Sequence, residues 1–149
     1  MANDPAASER KRICIIGGGA NGLATLKILA DTPQVKDGRW SIVAFEERHD
    51  IGGIWLPAPP TDDPPLSPLY DSLETNIPHP LMAFTTFPFP PGIALYPSAD
   101  EVLKYLNDYA DHFDLRKYIR LNTRVDRAIW DAAAQHWQVT LSTSPAPLT

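Results

Sequence analysis

The sequence predicts an α/β fold built on a parallel sheet, and three observations near its amino end predict it. A short apolar run, Ile13-Cys14-Ile15-Ile16, leads straight into Gly17-Gly18-Gly19-Ala20-Asn21-Gly22, with glycines at the G-x-G-x-x-G positions 17, 19 and 22. Leu23, Leu26 and Leu29-Ala30 then recur at helical spacing. A second apolar run, Trp40 to Phe45, ends in Glu46. Strand, glycine turn, helix, strand and acid, in that order, describe a Rossmann-like dinucleotide-binding unit.

Each element has a physical reason. The β-branched residues of the first run fit a strand buried in a parallel sheet, which makes Cys14 a small buried hydrophobe, not a nucleophile. Gly17 allows the tight turn, Gly19 lets backbone approach a pyrophosphate, and Gly22 permits close packing of helix on strand. The helix opening at Ala20-Asn21 offers unpaired N–H groups and a positive dipole end to phosphates. Thr32-Pro33 stops that helix. Glu46, at the carboxyl end of the second strand, can accept hydrogen bonds from both ribose hydroxyls, and Glu47 is its neighbouring rival for the role.

Beyond Glu46 the pattern turns irregular. Gly52-Gly53-Ile54-Trp55 places a second glycine pair where backbone can pass close to a bulky ligand, and Trp55 can meet that ligand or fill the core. Most of the sixteen prolines fall between Pro57 and Pro97, excluding regular helix or sheet through most of that span. Leu69, Tyr70, Leu81, Met82, Phe84, Phe87 and Phe89 are interleaved with them, too apolar for a free linker. An ordered loop layer over the cofactor pocket is therefore expected, with Thr61 to Pro65 its most mobile part. Asn76 reads equally as a turn-former before Ile77-Pro78.

Ser98 and Glu101 form an S-x-x-E capping box for a helix with Val102, Leu103, Leu106, Ala110 and Phe113 near one face. Asp111-His112 lies on its solvated end. Tyr118 to Trp130 reads as one strand and Trp137 to Leu141 as another, giving a C-terminal β-hairpin across an Asp131–His136 loop. The domain is expected over residues 12–142, between a disordered stretch 1–11 and a tail 143–149.

Composition narrows the function. A chain of 149 residues fits one domain, and a net charge of −5 gives no footprint for nucleic acid or an anionic membrane. A diphosphate must then be held by backbone amides and the helix dipole. The four histidines show no metal-ligand spacing, so no metal is expected. No G-x-S-x-G nucleophile elbow occurs. With one cysteine, no secretory pattern and no membrane-length apolar run, a cytoplasmic setting is the expectation.

The segments Phe45-Glu46-Glu47-Arg48, Gly52-Gly53-Ile54-Trp55, Thr75-Asn76, Phe87-Pro88-Phe89-Pro90 and Tyr118 to Thr123 resemble, in order, the amino-terminal part of the flavin-containing monooxygenases. The resemblance covers about residues 12 to 130. It implies FAD as cofactor, NADPH as reductant, O2 as co-substrate, and oxygenation of an amine or sulfide through a C4a-hydroperoxyflavin. It further implies that Gly17, Gly18, Gly19, Ala20 and Asn21 with Gly22 hold the pyrophosphate, and that Glu46 holds the adenosine ribose. Gly53, Ile54 and Trp55 would border the flavin, with Thr75 and Asn76 facing the isoalloxazine and the nicotinamide; Asn76 is the one catalytic candidate. The family's F-E-R pattern favours Glu46 over Glu47, and its F-P-F-P segment favours this family over Baeyer–Villiger and N-hydroxylating relatives. The family's second glycine fingerprint, for NADPH, falls outside these residues, so the chain looks like an incomplete FAD-binding portion. The alternative is a truncated, non-catalytic remnant, at most a weak nucleotide-binding or interaction module.

Overall fold

A computed structural model describes residues 10–60 and 65–143. The expected mobile stretch at Thr61, most of the amino-terminal stretch and the tail beyond Thr143 lie outside the described residues. The elements run β1 (Lys11–Ile16), α1 (Ala20–Ala30), α2 (Pro33–Lys36), β2 (Trp40–Phe45), a 3₁₀ turn (Gly53–Trp55), α3 (His79–Met82), α4 (Ala99–His112), a 3₁₀ turn (Arg116–Tyr118), β3 (Ile119–Arg120), β4 (Thr123–Asp131) and β5 (His136–Thr143). β1 and β5 each reach one residue past the expected domain bounds. The parallel β1–β2–β3 sheet and the antiparallel β4–β5 hairpin are separate sheets.

β1 and β2 pair in parallel with Ile13 opposite Ile42 and Ile15 opposite Ala44. That face meets α1, whose Leu23 and Leu26 are fully buried, and α4, whose Val102, Tyr105, Leu106, Tyr109 and Ala110 complete the core. The opposite face is open along β1 among the described residues, although Phe45 of β2 on that face is buried. Ile16 is 63% exposed and Cys14 is exposed beside it, which corrects the expectation of a buried cysteine. The apolar run suggested a strand covered on both faces, as parallel sheets generally are, but only one layer of helices packs here. What burial Cys14 has still raises the pKa of its thiol, the opposite of what a reactive cysteine needs.

Three other local expectations change. Thr32-Pro33 ends α1 but also starts α2, because the Thr32 hydroxyl accepts from Val35 N and Pro33 occupies the first turn, where its missing N–H costs nothing. On α4 the buried stripe recruits Tyr105 and Tyr109, which a purely aliphatic pattern passes over, while Leu103 and Phe113 stay partly exposed. The single strand expected from Tyr118 to Trp130 is two. Ile119–Arg120 extends the parallel sheet, and Asn122 at φ 52° then turns the chain into the hairpin. Asparagine tolerates this left-handed conformation better than most residues.

The proline-rich span is anchored to α4, as its aromatic residues suggested. The Tyr105 hydroxyl accepts from Phe84 N at 2.7 Å and donates to Phe87 O at 2.7 Å. Its ring stacks on Phe89 at 3.9 Å. Ser98 and Glu101 form both halves of the capping box at the start of α4. In the hairpin Trp130 and Trp137 meet edge to face at 5.6 Å, and Asp131 Oδ1 closes the turn by accepting from Ala133 N and Ala134 N.

Candidate functional site

The glycine turn sits where β1 delivers the chain to α1, at the carboxyl end of the sheet. Gly17 N donates to Phe45 O at 2.8 Å, which fixes the turn against the end of β2. Gly19 is the residue preceding α1 and offers no side-chain cap, so the first-turn N–H groups of Ala20, Asn21 and Gly22 have no side-chain acceptor at that end. A Cβ on Gly22 would lie 2.0 Å from Gly17 O. Its glycine thus closes the turn on itself; the strand side chain, Ile15, stands farther off at 3.8 Å.

Gly19 faces a second glycine across the site. A Cβ on Gly19 would meet Gly53 Cα at 3.3 Å, and one on Gly53 would meet Gly19 Cα at 3.0 Å. Gly52 N also donates to Gly18 O at 3.1 Å, and Leu103 of α4 packs into the space a Gly52 side chain would need. The two glycine pairs, separate in sequence, form one close backbone contact. Each pair alone has a steric reason in its own segment, and the fold joins them.

Glu46 is 5% exposed and already engaged. Its Oε2 accepts from Gly18 N at 2.6 Å and its Oε1 from Arg48 N at 2.9 Å. Gly18 N–H is therefore engaged by the acid, a role the spacing did not reveal. Each carboxylate oxygen keeps a further lone pair for a ribose hydroxyl. Glu47 instead points toward Arg124, 3.9 Å away, with half its side chain exposed. Geometry thus separates the two rivals, with Glu46 alone in contact with the glycine turn.

Beside Glu46 a recess of about 290 Å³ opens between Gly17, Phe45, Glu47, Thr123, Arg124 and Val125. The β4 residues on its wall escaped the sequence reading. They arrive through pairing, with Glu46 N donating to Arg120 O, Thr123 N to Glu46 O, and Asn122 N to Arg48 O. No local motif announces such a contact.

Arg48 was also missed as a site residue. Its guanidinium donates to Gly53 O at 3.0 Å, Leu56 O at 2.7 Å and Pro57 O at 2.6 Å. Ser67 adds a hydroxyl bond to Ile54 O at 2.7 Å. Together they hold the Gly53–Trp55 turn against Gly19. Within that turn Ile54 is 58% exposed, whereas Trp55 both packs against the core and lines a second recess.

That second recess, about 400 Å³, is bounded by Trp55, Tyr70, Glu74, Thr75, Asn76 and Met82. Thr75 is buried, its hydroxyl donating to Ile77 O at 2.9 Å and its N–H to Pro97 O at 3.0 Å. Asn76 is exposed on the rim. No group of His, Cys, Asp and Glu among the described residues is arranged to hold a metal. None of the described helices is long and apolar enough to cross a membrane.

Comparison with known proteins agrees with this geometry. The sequence matches the family described as FMO-like, flavin-binding monooxygenase-like, over residues 10–144. It is 32% identical over 160 residues to the flavin-containing monooxygenase FMO GS-OX2 of Arabidopsis thaliana, covering 96% of this chain and 33% of that protein. The fold superimposes on S-allyl-L-cysteine S-oxygenase from Allium sativum with a TM-score of 0.72 and 26% identity, over 89% of this chain and 32% of that one. The crystallised OTEMO complex with FAD and NADP shares the fold at a TM-score of 0.64 and 24% identity, over 87% of this chain and 22% of that one. The chain thus spans about a third of the length of the curated relative and of the S-oxygenase. A glycine turn locked to a buried acid, in a sequence matched over nearly its whole length, makes this chain a member of the flavin-binding monooxygenase-like family.

Proposed function

We propose that the chain is the FAD-binding portion of an NADPH-dependent monooxygenase that oxygenates nitrogen or sulfur nucleophiles. The observation that carries this reading is the backbone cradle: Gly19 against Gly53, with Glu46 bound to Gly18 beside it. A side chain at Gly19 or Gly53 would fill that cradle, and the adjoining helix start presents N–H groups toward it. Those features fit an extended dinucleotide. In this reading Ala20, Asn21 and Gly22 receive the pyrophosphate, Glu46 the adenosine ribose, and Thr123 to Val125 the adenine side of the smaller recess. Ile54, Trp55, Thr75 and Asn76 border the flavin ring. Bound FAD, reduced by NADPH, supplies the activation of O2 for oxygen transfer to a soft nucleophile. The part of this chain is to bind, orient and shield it, with the exposed Asn76 amide available to a flavin or nicotinamide polar atom. Sulfur as the oxygenated atom draws support from the Allium S-oxygenase.

Titration of FAD into the 149-residue chain, followed by flavin fluorescence, tests the cradle. Each hydrogen bond to a charged group is worth roughly 1.5–3 kcal/mol, so Glu46→Ala is expected to weaken FAD binding tenfold or more. Glu46→Gln, which keeps an acceptor for Gly18 N, should lie between the variant and the wild type. Unchanged affinity in Glu46→Ala would sink the assignment. Asn76→Ala should keep FAD but change the visible spectrum of the bound flavin; an unaltered spectrum returns Asn76 to turn formation. The second reading is a non-catalytic remnant, which failure to bind FAD at all would favour.

A further inference from the structure

The segment that follows the Gly53–Trp55 turn depends on donors from elsewhere. Pro57, Pro59 and Pro60 carry no N–H, so this end of the segment cannot close a backbone ladder on itself. Arg48 supplies the donors: its Nη1 serves both Gly53 O and Leu56 O, and its Nη2 serves Pro57 O, all within 3.0 Å. The backbone of Arg48 is fixed as well, its N–H donating to Glu46 Oε1 and its carbonyl accepting from Asn122 N. One residue thus has its backbone at the acid end of the cradle and its side chain at the Gly53–Trp55 end. Among the described residues the guanidinium meets no carboxylate, so nothing there competes with the carbonyls. The F-E-R pattern places an arginine directly after the acid; here Glu47 takes that place and Arg48 follows it.

We propose that Arg48 is the positioning residue for the flavin half of the cofactor. The inference rests on the FAD reading and deepens it. In that reading the pyrophosphate and the adenosine ribose fall to the start of α1 and to Glu46, which the Arg48 side chain does not touch. The turn it does hold carries Gly53, Ile54 and Trp55, the border of the flavin ring. Freeing the Gly53, Leu56 and Pro57 carbonyls lets that turn retreat from Gly19 and from the recess that Trp55 lines. Binding must then order the turn again, and that entropic cost falls on FAD and not on ADP.

Titrations of the 149-residue chain with FAD, by flavin fluorescence, and with ADP, by isothermal calorimetry, read the two halves separately. Arg48→Ala is expected to bind FAD about tenfold or more weakly, through loss of charged-donor bonds, and ADP within about threefold of the wild type. Arg48→Lys, a point donor in place of a planar fork, should fall between for FAD. Arg116→Ala removes an exposed ion pair to Asp50 in the same stretch of chain and should leave both affinities within about twofold. Equal weakening of FAD and ADP by Arg48→Ala, unchanged FAD binding in that variant, wild-type FAD binding by Arg48→Lys, or an Arg116→Ala loss as large as that of Arg48→Ala would each overturn the proposal. Circular dichroism checks that the variants fold. If Arg48→Ala does not, the comparison is read on Arg48→Lys, whose FAD loss should exceed its ADP loss; equal losses there overturn the proposal too. A wild-type chain that binds no FAD removes the monooxygenase reading itself, whereas normal FAD binding with no effect at Arg48 removes only the positioning role.

Discussion

Gly22→Ala is expected to unfold the amino-terminal half of the site, and more severely than the same change at Gly17. The added methyl would sit 2.0 Å from Gly17 O, a backbone atom that cannot rotate away as a side-chain end can. Relief requires lifting α1 off the turn, and α1 carries Leu23 and Leu26, both fully buried. Overpacking against flexible neighbours costs about 1–3 kcal/mol, and a rigid obstacle exceeds that. A loss of about 3–5 kcal/mol is a large part of the ~5–15 kcal/mol that holds a domain together. At this chain length that corresponds to a fall in Tm of roughly 10 °C or more. Gly17 at φ +95° has nothing within 4 Å of its would-be Cβ, so its alanine variant incurs backbone strain alone. That strain is about 1–2 kcal/mol. Thermal unfolding followed by circular dichroism should therefore rank wild type above Gly17→Ala and Gly17→Ala above Gly22→Ala. A Gly22→Ala protein as stable as the wild type would show that the turn is not closed as described.

The 149-residue chain supplied with FAD, NADPH and an amine or sulfide is expected to show no substrate-dependent consumption of NADPH. Hydride transfer requires the nicotinamide held against the flavin ring, and such positioning contributes about 7–11 kcal/mol in well-oriented reactions. That is a factor of at least 10⁵ by the usual conversion of roughly 1.4 kcal/mol per decade. In the proposed reading Thr75 and Asn76, which line the larger recess, are the groups that border that point, and the chain spans about a third of the length of its curated relative. The uncovered surface works in the same direction. Ile16 on the open sheet face is 63% exposed and Trp137 on the hairpin 61%, and apolar area of this kind favours association and weak cofactor retention. Steady-state NADPH absorbance with and without substrate decides the matter. Coupled turnover by these residues alone would overturn the reading that most of the positioning lies beyond them.

The local elements were legible because their causes are local. The strand Trp40–Phe45, the glycine turn, the capping box of Ser98 and Glu101, and the β-hairpin each depend on residues a few positions apart. The anchoring of the proline-rich span was also foreseeable, since aromatic residues alternating with prolines need a surface to bury against. What could not be read was the surface itself. Tyr105 serves it with one hydroxyl shared between Phe84 and Phe87, and a tyrosine on a helix gives no sign of such a partner.

Spacing along the chain was enough to read a strand–turn–helix–strand unit that ends at Glu46, and the resemblance of its ordered motifs placed the chain with flavin-binding monooxygenases. Tertiary structure alone decided which groups meet. It turned Gly18 N–H inward to Glu46, set Gly53 against Gly19, recruited Arg48 to hold that contact, and brought Thr123 to Val125 beside the acid. It also left Cys14 on an open face, where the β-branched pattern predicted burial. The physical reason is the same throughout. Backbone spacing fixes what a segment can become, but hydrogen-bond partners and coverage depend on segments distant in sequence, whose arrival no local pattern encodes.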